Sequence, residues 1–182
     1  MNEKDQSHDS AAIKKAKRRA TVLFTGLLGA VSGIVIVLLY QSGEPIPQFS
    51  KDDFEAAQQK WRSAAVDTYE IEIDVTGRQS ATYRVKVVAG NVVEAFRNDR
   101  PLKQRRTMGT WSVPGMFDTM LSDVENRELF QSGKGDRNTP QVTLRCKFHP
   151  EYGFPLLYQR LEHRKFASNM EVTWTVTRFE AQ

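Results

Sequence analysis

One cysteine, Cys146, and three histidines, His8, His149 and His163, are all this chain has of the side chains that most often ligate metals or form covalent intermediates. Without a second Cys there is no internal disulfide, and only an intermolecular one is open to the chain. The spacings are equally sparse: no HExxH, CxxC or G-x-S-x-G, no phosphate-cradling glycine loop and no EF-hand loop. No cofactor and no metal is implied, no set of catalytic residues emerges, and the reading leans away from an enzyme. Basic charge is scarce too, once the start of the chain is set aside. The formal net charge is +4, and residues 1–20 supply most of it. The remainder is close to neutral, which argues against a nucleic-acid partner.

What the chain does have is a long uncharged apolar run over residues 21–40, broken only by Thr21, Thr25 and Ser32. At about 1.5 Å of rise per residue, twenty residues of helix span roughly 30 Å, the thickness of a bilayer core. A cleaved secretory signal has a shorter core and a small-x-small exit, whereas this run leaves through Leu39-Tyr40-Gln41-Ser42-Gly43. The run therefore predicts a retained transmembrane helix, with the lipid bilayer as a partner. Lys14, Lys15, Lys17, Arg18 and Arg19 precede it and the first charge after it is Glu44, so the positive-inside rule places the N-terminus in the cytoplasm. The C-terminal part is then extracytoplasmic, on a single-pass protein of the cell membrane. Gly29 and Gly33 form a GxxxG that permits close helix pairing and hence a homodimer.

The predicted organisation is a basic tail over 1–20, the span over 21–40, a Pro-containing extended linker over 41–49 and a domain over 50–182. Ser50 reads as an N-cap and Asp53 as its capping-box partner, opening a helix to about Val66 with Phe54, Ala57, Trp61, Ala64 and Ala65 on one stripe. Strict alternation from Thr68 to Thr76 predicts a half-buried strand, with Tyr69, Ile71, Ile73 and Val75 inward and Glu70, Glu72 and Asp74 outward. A second strand turns its outward Arg84 and Lys86 toward those acids, and Gly90-Asn91 turns into a third, completing a meander. A basic loop with Arg97, Arg100, Lys103, Arg105 and Arg106 follows, suited to an anionic surface or a solvated strand end. Ser112 and Pro114 open a second helix to about Leu129, with Phe117, Met120, Leu121 and Val124 on its stripe and Asp123 off it. Three more strands close the chain, with Cys146 inward on the first and Trp174 inward on the last. The predicted fold is α+β: transmembrane helix, helix, three-stranded antiparallel meander, helix, then three strands, forming one sheet with helices on one face. His149, Glu151 and His163 are read as neighbours near adjacent strand ends.

Trp61, Tyr69, Tyr152, Phe154 and Trp174 are the candidate lining of a cavity between helix and sheet, or of an interaction surface; core filling is the competing use of the same rings. Four segments carry a family likeness: Trp61 followed by Tyr69; Gly90-Asn91-Val92-Val93; Val113-Pro114-Gly115-Met116-Phe117; and Tyr152-Gly153-Phe154-Pro155. On these the chain resembles, over residues 53–179, an uncharacterised family of small extracytoplasmic bacterial α+β domains, often lipoproteins or membrane-tethered. That family carries an Asp near the position of His149. The resemblance implies the fold and the extracytoplasmic setting, and it implies no activity. The function expected from sequence is binding or scaffolding at the cell envelope, with an envelope protein as possible partner. The alternatives are a small-ligand or enzymatic domain using the helix-sheet cavity, and a subunit that pairs through its membrane helix.

Overall fold

A computed structural model describes residues 45–136 and 138–182. The predicted basic tail and the run over 21–40 lie outside the described residues.

Helix α1 spans Lys51–Ala64 and starts as its sequence dictates. Ser50 is extended; its Oγ accepts from the Asp53 amide at 3.1 Å, and the Asp53 carboxylate accepts from the Ser50 amide at 2.8 Å. Two of the helix's orphan donors are thereby satisfied reciprocally. Donation from the Ser50 amide, and from the Ser50 hydroxyl at 2.8 Å, holds the Asp53 carboxyl below the ordinary range. The helix stops two residues before the predicted Val66, because Ala65 enters the left-handed region at φ 49° and its amide turns back to the Arg62 carbonyl. Phe54, Ala57 and Trp61 form the buried stripe.

Strand β1 (Tyr69–Gly77) is followed by β2 (Ala81–Val88), β3 (Asn91–Arg97) and a two-residue β4 (Arg100–Pro101). A single helical turn over Arg105–Met108 and a 3₁₀ turn over Gly109–Trp111 lead into α2, Val113–Gln131. The chain ends in β5 (Gln141–Phe148), β6 (Pro155–His163) and β7 (Met170–Ala181). Every pairing is antiparallel, in the order β4-β3-β2-β1-β7-β6-β5. Strand β1 therefore sits at the middle, held on one side by its hairpin partner β2 and on the other by β7, from Tyr69 opposite Ala181 to Gly77 opposite Val172.

This corrects the predicted architecture. The sheet has seven strands rather than six: β4 extends the predicted three-stranded meander inside what reads in the sequence as a basic loop, and β7 is the strand that joins it to β6 and β5. Only two helices among the described residues exceed one turn, and no helix among them is long and apolar enough to cross a membrane. The predicted transmembrane element falls on residues that are not described. Two local details also differ. The β2–β3 turn is made by Ala89 and Gly90, at φ 48° and 75°, one residue earlier than the predicted Gly90-Asn91. A bulge opposite Glu72 and Ile73 lets β7 bury Trp174, Val176 and then Phe179, so the alternation slips by one residue after Val176.

Both helices bury their stripes against one face of the sheet, in a single core that includes Tyr69, Ile71, Val85, Leu144, Tyr158 and Val176. The other face is polar, as its alternation requires. Glu70 stands opposite Lys86 and pairs with it at 3.2 Å, while Arg84, opposite Glu72, reaches Asp99 at 3.3 Å and lies over the Phe96 ring. Exposed pairs like these contribute about 0–1 kcal/mol each. The edge strand β5 is covered where the incoming chain crosses it: Gln48 bridges to Arg145 and the Cys146 amide donates to the Pro47 carbonyl at 3.0 Å. Pro47, Gln48 and the buried Phe49 thus belong to the domain rather than to a free spacer.

Candidate functional site

The predicted cavity residues separate into two groups. Trp61, Tyr69, Phe154 and the half-buried Tyr152 gather around Phe179, with ring centroids 6.1, 5.5, 4.4 and 5.7 Å from it. Trp61, Tyr69, Phe154 and Phe179 are all buried and contact one another, so this region beneath α1 is packed aromatic core. Tyr69 has one further task. Its hydroxyl accepts from the Val113 amide at 3.0 Å, tying the start of α2 to β1, and burial pushes its pKa up to about 12. The tight turn before β6 needs glycine: Gly153 has φ 79°, and a Cβ there would collide with the Ala57 carbonyl of α1.

Trp174 belongs elsewhere, on the part of the helix-side face that the helices leave open. Its ring meets Tyr158 at 4.7 Å and Trp111 at 5.3 Å, and Trp111 stacks on Tyr83 with centroids 4.1 Å apart and planes at 22°. Trp111 is held by its neighbours in sequence. Ser112 caps α2, donating to the Gly109 carbonyl at 2.8 Å and accepting from the Gly115 amide at 3.3 Å. Gly115 lies against the Gly109 and Thr110 carbonyls, where no side chain would fit. The half-exposed Tyr83–Trp111 stack separates two recesses that share Gln79. One, of about 360 Å³, runs toward Val172, Trp174 and Arg78; the other, of about 540 Å³, is bounded by Arg97, Lys103 and Gln104. Among the described residues neither is lined by a carboxylate. Arg97 stands directly across from Tyr83 in the β2–β3 register, so the basic end of β3 and the aromatic wall are cross-strand neighbours. A further recess of about 650 Å³, between α1 and β5, is bounded in part by the incoming Pro47–Phe49 segment itself.

Beside the aromatic groove lies a charged network that reaches into the core. Asp123 of α2 accepts from the Tyr158 hydroxyl at 2.8 Å and from Arg160 Nε at 2.8 Å; Arg160 and Arg164 both donate to Glu162 at 2.9 Å. Burial opposes the charge on Arg160, and the Asp123 and Glu162 carboxylates more than offset it, so the guanidinium stays charged. Burial likewise pushes Glu162 up, and its two arginine partners bring it below the ordinary range. Burial and the adjacent Asp123 raise the Tyr158 phenol well above its usual value. The predicted stripe of α2 is corrected here: Leu121 is exposed and Asp123 is buried.

His149 and His163 do not meet. They flank opposite ends of the β5–β6 hairpin, His149 at its turn and His163 opposite Gln141, roughly 25 Å apart at ~3.3 Å per residue. His149 Nδ1 accepts from the Glu151 and Tyr152 amides at 3.2 and 3.1 Å, and its ring lies against both Tyr152 and Phe154, which also contact each other. Burial, more than nearby Lys60, holds its pKa down against the pull of Glu151. His163 Nε2 is bonded to the Thr143 hydroxyl at 2.8 Å. Cys146 is buried on the inward face of β5, and burial raises its thiol well above the usual value. That setting suits packing rather than nucleophilic attack.

Gly29, Gly33 and the Lys14, Lys15, Lys17, Arg18 and Arg19 cluster lie outside the described residues. Of the basic loop, Arg97 and Lys103 border the groove. Three important residues were not singled out from sequence. Trp111 occupies the position before an N-cap, where an apolar residue commonly packs, and that is its signal. Arg160 continues the inward alternation of Leu156 and Tyr158, and a charge there is a signal for a buried partner, whereas Asp123 lies off the apolar stripe of its helix and carries no such signal. No family model, curated protein or solved structure matches the chain.

Proposed function

We propose that this chain is a binding module held at the cell membrane by its apolar run over residues 21–40, with the α+β domain working outside the cytoplasm. The basic cluster from Lys14 to Arg19 supports the orientation through the positive-inside rule. The observation that carries the binding role is the partly buried Tyr83–Trp111 stack, standing between two recesses that hold cations and no carboxylate among the described residues. Aromatic walls with a few polar groups are how small sites fix a ligand. The Asp123, Tyr158, Arg160, Glu162 and Arg164 groups beside it are engaged with one another, which favours a supporting role over chemistry.

Reporter fusions test the setting. Alkaline phosphatase joined after residue 182 is expected to be active, and a fluorescent protein that matures only in the cytoplasm is expected to be dark at the same junction. The opposite pattern would refute the orientation. Site-specific photo-cross-linking from position 83 in intact cells is expected to give adducts that Trp111→Ala abolishes; adducts indifferent to that change would remove the groove from the proposal.

A further inference from the structure

We propose that the two recesses flanking the Tyr83–Trp111 stack are adjoining subsites for an anionic oligosaccharide. This rests on the reading of that groove as the binding surface, and it names the ligand class. The argument starts from charge. Arg78 lies in the smaller recess and Arg97 and Lys103 in the larger, without a carboxylate lining either. Among the described residues none of these three cations has an ion-pair partner. An apolar occupant would desolvate them for no return; an anionic one supplies the missing charge.

Shape and hydrogen bonding narrow the class. Two recesses meeting at a shared aromatic wall suit a ligand built of repeated units, one on each side. The wall offers ring surface and edges to the C–H faces of a saccharide, and the Gln79 and Gln104 amides offer paired donors and acceptors of the kind hydroxyls use. A nucleic-acid base wants an open ring face. Here Tyr83 and Trp111 cover one another at 4.1 Å and Trp174 meets Trp111 at 75°, so a base has only the same outer ring surface that a saccharide uses, and the oligothymidylate arm of the test separates the two. An extended peptide wants a free sheet edge. The groove lies on the sheet face, and the nearby end of β3 is already paired with β4.

The test uses the full chain in mild detergent, titrated with oligogalacturonate of four to six units and followed by calorimetry and by tryptophan fluorescence, since Trp111 is in the site. Binding that weakens with salt is expected, with at least tenfold weaker binding for Tyr83→Ala and for the Arg97→Glu, Lys103→Glu pair. That pair changes exposed side chains and is expected to leave the melting temperature unchanged, so a loss of binding reads on the site. Uncharged maltohexaose is expected to bind at least tenfold more weakly. The proposal is overturned by no saturable binding of oligogalacturonate, by equal binding of maltohexaose, by affinity unchanged in the charge-reversed pair, or by tighter binding of oligothymidylate or hexaglutamate. The titration does not depend on topology. If the reporters reverse while it succeeds, the cellular setting fails alone; if it fails while the reporters hold, the ligand class fails alone.

Discussion

Replacing Asp123 by Ala is expected to be among the costliest single changes in this domain. The side chains of Asp123 and Arg160 are 12% and 17% exposed, so their pairing is largely desolvated. Removing one partner of such a pair leaves the other charge buried, at about 3–5 kcal/mol in dry settings. The residual exposure favours the lower end, and the orphaned Tyr158 hydroxyl adds about 1 kcal/mol or more. We therefore expect a loss of about 3–4 kcal/mol, which for a domain of this size lowers the melting temperature by roughly 10 °C. The informative comparison removes the whole polar set: Asp123→Leu with Tyr158→Phe and Arg160→Met leaves no orphan and is expected to melt within a few degrees of the parent. Near-ultraviolet circular dichroism of the full chain in detergent reads both. A single variant costing under about 1 kcal/mol, or a triple variant less stable than the single, would refute the reasoning.

Ser50→Ala removes one half of the reciprocal cap on α1 and is expected to cost about 1 kcal/mol, measured in the same melts. Because the folded Asp53 carboxyl titrates below its unfolded value, the stabilisation from its own half is present above the ordinary carboxylate pKa. It is lost as pH falls through the folded value, so the gap between Asp53→Asn and the parent should close in acid. His149 has its folded pKa below the ordinary 6.5, so between the two values the unfolded chain binds more protons. The stability it contributes is complete above about pH 6.5 and declines as pH falls below it; a proton-detected titration placing His149 above 6.5 would contradict this. Gly153→Ala forces a Cβ into a left-handed position against the Ala57 carbonyl and is expected to cost more than 1 kcal/mol, roughly the αL penalty alone, with the loss visible in thermal melts.

Much of the local structure is legible residue by residue. The alternation from Tyr69 to Val75 and the Ser50–Asp53 pair need no tertiary information, because period and capping are properties of adjacent residues. What the sequence alone does not carry is partner choice. On α2, Leu121 and Asp123 lie at similar angles, roughly 80° to either side of the stripe's centre at 100° per residue. Hydropathy favours the leucine; the structure buries the aspartate, because Tyr158 and Arg160 on β6 face it. Strand β4 was hidden for a similar reason. Its turn is Asn98-Asp99, with both residues at positive φ, a dipeptide suited to a two-residue hairpin but set among arginines that read as a solvated loop. The predicted cavity failed at Trp61, Tyr69 and Phe154 since composition cannot tell rings that fill a space from rings that border one.

The position of β7 constrains the order of events in the life of the chain. Strand β1 lacks one of its two neighbours until a segment roughly 110 residues downstream has been synthesised, a wait on the order of 10 s at ~5–20 residues per second. Until then the β1–β4 half and the β5–β6 hairpin are separate pieces with exposed ladders. A domain that closes so late holds unpaired strand edges through most of its synthesis, and those edges are open to wrong pairing until β7 seals them.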